Sequence, residues 1–237
     1  MRQTESSNEA FPGYFLAHFG VYHPRKARKL RVVFDAAVPC HGNSLNDLLM
    51  KGPTAYNSLL GVLMRFRKEK VGVTCDVEQF FHSFLVTPAH RSYLRFLWYQ
   101  ENDEDKPIVE HRMRVHLFEN TSSPGVCMYG IKRAILSEVD STSTEAKFIE
   151  RSMFVDDGIH SSPNAEQAST LIRNVKATLA KNKIRLHKIA SNSPEVMRVF
   201  PCEDLIEEVQ NFETADKLPT QSSLGLKWDI KENKFLF

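Results

Sequence analysis

Two aspartates stand side by side in Phe154-Val155-Asp156-Asp157-Gly158, directly after an apolar pair. Adjacent like charges repel and are costly to bury, so a fold that keeps them at the end of an apolar strand supplies a counter-charge. Magnesium suits that task, because it takes hard oxygen ligands and leaves room for substrate phosphates. The same five residues also fit an ordinary surface hairpin closed by an Asp-Gly turn. A second segment, Val71-Gly-Val-Thr-Cys-Asp76, is another apolar, partly β-branched run that ends in an acid. If the two strands lie side by side, Asp76, Asp156 and Asp157 form one carboxylate cluster, able to hold two ions roughly 3.5–4 Å apart for in-line phosphoryl transfer.

The elements that must position these acids follow from periodicity and punctuation. Arg31-Val-Val-Phe-Asp35 reads as a strand, preceded by an irregular or short-strand segment from Phe11 to His23. Ser44 to Leu49 begins a short helical turn that Gly52-Pro53 breaks. Thr54 is placed to cap a helix to about Lys70, with Leu59, Leu60, Leu63, Met64 and Phe66 on its apolar side. The Asp76 strand follows at once. Pro88 opens a short helix, and strands at Tyr93 to Tyr99 and Val109 to Leu117 form a candidate hairpin across the acidic loop Glu101 to Asp105.

Ser122-Ser123-Pro124 starts a helix running to about Val139, with serine as cap and proline in the first turn. Asp140 to Glu145 reads as a polar break before the strand at Met153. Pro163 opens a helix with Ala168, Leu171, Ile172, Val175 and Leu179 on one face. Ile184 to Ala190 is a strand that carries Lys188, and Leu224 to Ile230 with Lys234 to Phe237 form a terminal pair. The fold class is α+β, with helices packed on one face of a largely antiparallel sheet.

A length of 237 residues and an even mix of charge and apolar content are those of a globular chain with a real core. The net charge of +2 says little, but basic residues crowd Arg25 to Arg31 and Arg65 to Lys70. Such stripes suit a nucleic-acid backbone or a triphosphate, and equally suit solvated faces. Four scattered cysteines without a C-x-x-C pair argue against a zinc ribbon and a disulfide scaffold, and a reducing compartment is the default. No apolar run is long enough to span a bilayer, so the expected location is intracellular, in the cytoplasm, with no membrane partner.

Six segments in order resemble a reverse transcriptase: Lys29-Leu-Arg31-Val-Val-Phe-Asp35, Asp76-Val-Glu-Gln-Phe-Phe81-His, Thr121-Ser-Ser-Pro124, Phe154-Val-Asp156-Asp157, Lys188 and Leu224-Gly225. More narrowly, Gly20-Val-Tyr-His-Pro-Arg-Lys26, Ser44-Leu-Asn-Asp-Leu-Leu49 and Leu59-Leu-Gly-Val-Leu63 resemble the polymerase of Bel/Pao long-terminal-repeat retrotransposons. The resemblance implies a right-hand polymerase with fingers at about 14–70 and 88–117, palm at about 71–87 and 118–237, a disordered lead-in at 1–13, and a thumb that is absent or incomplete. It implies two Mg²⁺ ions, with Mn²⁺ as a substitute, held by Asp76, Asp156 and Asp157. It also implies an RNA or DNA template-primer, deoxynucleoside triphosphates and other regions of a retroelement polyprotein as partners.

Residue by residue, Lys29 and Arg31 match the basic pair that clamps the triphosphate. Phe81 matches the aromatic that excludes a 2′-hydroxyl, although it also fits a packed core. Ser123 and Pro124 close the template-nucleotide loop and join the nucleotide-binding set. Lys188 matches a lysine proposed to protonate pyrophosphate and joins the catalytic set. Departures are Glu119 in place of a glycine, Asn182-Lys183 in place of a glycine pair, Ile189 in place of a tryptophan and Phe154 in place of a tyrosine. Glu119 and the missing thumb favour an alternative, a catalytically silent fragment that keeps the fold and weak nucleic-acid binding. A third reading, an interaction protein with an incidental Asp-Gly turn, predicts no metal-dependent stabilisation.

Overall fold

The structure, a computed structural model, describes residues 14–23, 26–206, 220–223 and 226–236. The 1–13 lead-in and Leu224-Gly225 lie outside these residues. The chain divides into two compact units, residues 1–54 with 81–127 and residues 55–80 with 128–237.

In the first unit, β1 (Ala17–His23) and β2 (Lys26–Asp35) form an antiparallel ladder that pairs Ala17 with Asp35 and Val21 with Arg31. The ladder is longer than the irregular segment expected over residues 11–23. Gly20 interrupts the strand pattern in the sequence, yet it sits within the ladder opposite Val32, with the exposed Leu30 side chain close beside it. Helix α1 (Leu45–Leu48) starts in a capping box, in which Ser44 accepts from the Asp47 amide and the Asp47 carboxylate accepts from the Ser44 amide at 2.8 Å. Strands β4 (Arg95–Tyr99) and β5 (Ile108–Arg112) make the expected hairpin across the acidic loop. Strand β5 ends before Leu117, because the chain beyond it turns to another partner: the Val86 amide donates to the Arg114 carbonyl, and the His116 amide to Phe84. Leu16, Ala36, Leu45, Leu94, Phe96 and Leu117 form this unit's core.

The second unit is built on a four-stranded sheet of β3 (Val71–Val77), β6 (Met153–Phe154), β7 (Asp157–Ser162) and β8 (Leu186–Ser191). Their order is β6-β7-β3-β8, antiparallel throughout, so β3 is flanked on both sides. Helix α2 (Leu59–Phe66) is shorter than the Thr54–Lys70 helix expected, because Ser58 is its cap, accepting from the Gly61 amide at 3.4 Å. Helix α3 is Ser123–Leu136, and the division between the units falls within it.

Helix α4 (Thr144–Ser152) begins at the end of the polar break expected over Asp140 to Glu145 and fills the run up to Met153, for which the sequence suggests no element. Ser143 caps it by accepting from the Ala146 amide at 3.1 Å, and Ala146, Ile149 and Ser152 are buried at intervals of three. Glu145, Lys147, Glu150 and Arg151 dilute that stripe in the sequence. Helix α5 (Ala165–Lys181) buries Ala168, Ile172, Val175 and Leu179 as expected, α6 (Pro194–Met197) follows, and β9 (Thr220–Ser223), β10 (Leu226–Asp229) and β11 (Lys234–Leu236) form a second sheet. Val62, Phe66, Ile159, Ala190, Trp228 and Ile230 share one buried cluster.

The end of α5 explains one departure noted in the sequence. Lys183 adopts a left-handed backbone, with φ of +61°, one residue after the cap Asn182. Glycine is the residue that takes this conformation without a Cβ clash. Lys183→Gly is therefore expected to stabilise the chain by about 0.5–1 kcal/mol, read as a rise in the urea midpoint. A fall in the midpoint would sink this account.

Candidate active site

The two acid-bearing segments lie side by side. Strand β3 runs antiparallel to β7 with Asp76 opposite Asp157, and the Val77 amide donates to the Asp156 carbonyl at 2.9 Å. Val155 and Asp156 form the turn, while Asp157 and Gly158 already belong to β7, so the alternative of a hairpin closed by Asp-Gly does not hold. Gly158 is needed for closeness rather than for turning. A Cβ on it would lie 2.6 Å from Cys75 Sγ and 2.9 Å from Phe148 Cζ. Gly158→Ala is expected to cost about 1–3 kcal/mol by overpacking, measured by chemical denaturation. A neutral outcome would mean that α4 yields freely.

The turn stores backbone strain. Val155 has φ of +55°, a conformation that a β-branched residue strongly resists. Gln79, just past β3, has φ of +49°, and Lys188 on β8 also has φ of +49°. Residues held this way cost roughly 1–3 kcal/mol each and persist where the surroundings fix them, often at functional sites.

Strand β8 brings two basic side chains to Asp76. Asp76 pairs with His187 while Thr74 pairs with Ala190, so the register slips by one residue between them. The Lys188 ammonium donates to Asp76 Oδ2, and His187 Nε2 lies 3.5 Å from Oδ1. His187 was not singled out in the sequence, because neighbours on a regular strand point to opposite faces and only the slip brings both to one acid. Arg185 anchors the start of β8, reaching Glu78 at 3.3 Å and the buried Asp204 at 3.2 Å.

The two acids are shifted in opposite directions. Burial raises the Asp156 carboxyl, and the charge of Asp76 raises it further; its own amide and Lys188 pull it down without prevailing. Burial also acts to raise Asp76, but hydrogen bonds from His187 and Lys188, with their charges, outweigh it and hold the carboxyl below the ordinary range. The Cys75 thiol is pushed up first by burial and then by the charges of Asp157 and Asp76. Carboxylate charge is thus concentrated at one end of the sheet.

The other residues singled out in the sequence belong to the first unit. Arg31 is exposed on β2 opposite Val21; Lys29 lies on the same strand, and its side chain is outside the described residues. Phe81 is 8% exposed and meets Phe118 edge-on at 5.6 Å. Ser123 is fully buried, with its hydroxyl 3.2 Å from His116 Nδ1, and Pro124 follows in the first turn of α3. Glu119 is exposed, and its carbonyl accepts from Asn46 at 2.9 Å.

No protein-family model matches the chain, and no curated protein matches it in sequence. Solved structures do match. The foamy viral protease-reverse transcriptase in complex with an RNA/DNA hybrid aligns over 91% of this chain and 22% of its own, at 16% identity and a TM-score of 0.56. The chain has a reverse-transcriptase-like fold. The foamy viral protease-reverse transcriptase dRH in complex with double-stranded DNA aligns over 73% of this chain and 26% of its own, at 16% identity and a TM-score of 0.54. The native protease-reverse transcriptase of prototype foamy virus aligns over 77% and 20%, at 15% identity and a TM-score of 0.54. The chain therefore spans about a quarter or less of these structures, and what it has in common with them is this fold. No helix among the described residues is long and apolar enough to cross a membrane.

Among the described residues, no three His, Cys, Asp or Glu side chains are grouped to hold a metal ion. The donor chemistry nonetheless suits a hard divalent cation: the Asp76 and Asp156 carboxylates interact, and a cation, the Lys188 ammonium, already rests on one of them.

Proposed function

We propose that the chain is the fingers-and-palm region of an RNA-directed DNA polymerase of a Bel/Pao-like retroelement, extending a primer with deoxynucleotides on an RNA or DNA template. The observation that carries this reading is the register of β3 on β7, which sets Asp76 opposite Asp157 within a reverse-transcriptase-like fold. Asp76 and Asp156 are the residues that would hold two magnesium ions, with Asp157 adding negative charge. When bound, such ions lower the pKa of the primer hydroxyl and neutralise the departing pyrophosphate. Burial disfavours the ionised Asp156 carboxyl, and a cation nearby would offset that. Lys29 and Arg31 would hold the triphosphate, Phe81 would limit the sugar, and Ser123 with Pro124 would border the templating nucleotide. The relatives in complex with DNA and with an RNA/DNA hybrid support a nucleic-acid partner.

Primer extension by the purified chain on an RNA template, with magnesium or manganese, tests this. Metal-dependent extension that disappears in Asp76→Asn is expected. The Lys188 ion pair on Asp76 and the carboxylate of Glu119 favour a second reading, a silent fragment that keeps the fold. Template-primer binding without extension, at every divalent-ion concentration tried, would select it.

A further inference from the structure

We propose that Lys188 is a built-in counter-cation for Asp76, a tethered ammonium that a divalent cation must displace. The proposal deepens the polymerase reading and rests on Asp76 as a metal-holding residue. Its basis is the slip in β8. Because Thr74 pairs with Ala190 and Asp76 with His187, Lys188 and Ile189 both stand opposite Cys75, which is a β-bulge. A bulge re-aims side chains, and the positive φ of Lys188 does so here: consecutive residues His187 and Lys188 both reach Asp76. Nothing about a lysine favours that backbone, since its Cβ is as crowded there as that of any other residue.

The surroundings separate a fixed part from a moving part. Ile189, the second residue of the bulge, is fully buried, and Arg185 ties the start of β8 to Glu78 and Asp204. The Lys188 side chain, by contrast, is 56% exposed, while Asp76 is 21% exposed. A long, flexible stem with an open path to water can release its partner without disturbing the strand. A single charge on an exposed stem is also a weak competitor for a carboxylate compared with a divalent ion. In this arrangement Lys188 neutralises Asp76 when no cation is bound and leaves when one arrives, so it sets how readily the site loads.

The test is direct Mn²⁺ binding by the full chain, followed by the paramagnetic resonance signal of free Mn²⁺, with no substrate present. Wild type, Lys188→Gln, Lys188→Arg and Asp76→Asn are compared, with circular dichroism as the check on folding. Lys188→Gln is expected to bind Mn²⁺ about three- to tenfold more tightly than wild type, and Lys188→Arg to stay close to wild type. Lys188→Gly, which suits the positive φ, replaces Lys188→Gln if the latter misfolds. Unchanged or weaker binding by Lys188→Gln, with wild-type binding that still depends on Asp76, would overturn the proposal and leave the polymerase reading standing. Equal tightening by Lys188→Arg would overturn it too, since the charge would then be irrelevant. If no variant that keeps Asp76 binds more Mn²⁺ than Asp76→Asn, the metal reading itself falls and takes the proposal with it.

Discussion

Asp156→Asn is expected to lower primer extension by on the order of 10³-fold or more and, at neutral pH, to raise the melting temperature. The first effect follows from removing a ligand charge while keeping the shape of the side chain. The second follows from the electrostatics of the fold, because the Asp156 carboxyl is raised by burial and by its neighbour Asp76. A carboxyl whose folded pKa lies above its unfolded value is destabilising when ionised. That penalty is absent below the ordinary value of 3.8 and develops as pH rises through the folded pKa. Asparagine removes it, giving a gain of up to about 1 kcal/mol, or roughly 2–4 °C for a chain of this size.

Asp76→Asn should abolish extension equally but shift stability the other way. Its folded pKa is lowered, so the ionised form contributes stability that is present above 3.8 and lost as pH falls through the folded value. Melts of both variants at neutral pH and near pH 3.5 check the signs. Two variants that melt alike at neutral pH would show that the acids do not differ in environment, and extension by either one would remove it from the metal set.

Trp228→Ala carries the largest expected loss of stability. Trp228 is 1% exposed, meets Phe66 edge-on at 5.1 Å, and donates from Nε1 to Asn233 Oδ1 at 3.1 Å. It also closes over β3, where a Cβ on Gly72 would lie 2.8 Å from Phe66 Cζ and 3.2 Å from Trp228 Cζ2. Truncation leaves a cavity against Gly72, which has no side chain to fill it, at a cost of about 3–5 kcal/mol. Urea denaturation reads the loss, and Trp228→Phe, which keeps an aromatic ring but drops the Asn233 bond, should recover most of it. A loss below about 1 kcal/mol for Trp228→Ala would mean that β9 to β11 do not clamp the sheet.

The acids themselves were legible in the sequence, because each ends an apolar, strand-like run and the order of segments matches a known polymerase pattern. The antiparallel sheet and the long helix α5 were legible for the same reason, strong periodicity. Helix α4 was not, since a nine-residue helix with four charged positions shows too little apolar stripe. The position of the turn at Val155-Asp156 is not legible, because Asp-Gly is the stronger local turn signal, while the close approach of Cys75 and Phe148 to Gly158 is a tertiary fact. His187 was invisible as a site residue, because the bulge that turns it and Lys188 to one acid is set by pairing with β3.

The central position of β3 also bears on how the chain is made. Its two neighbours, β7 and β8, are encoded about 80 and 110 residues downstream of Asp76, beyond the stretch 81–127 that belongs to the other unit. At translation rates of about 5–20 residues per second, Val73, Cys75 and Val77 wait roughly 4–16 s for the first partner edge. During that interval the most apolar strand of the site is a bare template for pairing with other chains. A nascent chain stalled before Asp157 is thus expected to be a chaperone client, and ribosome pausing within residues 81–127 to lower soluble yield.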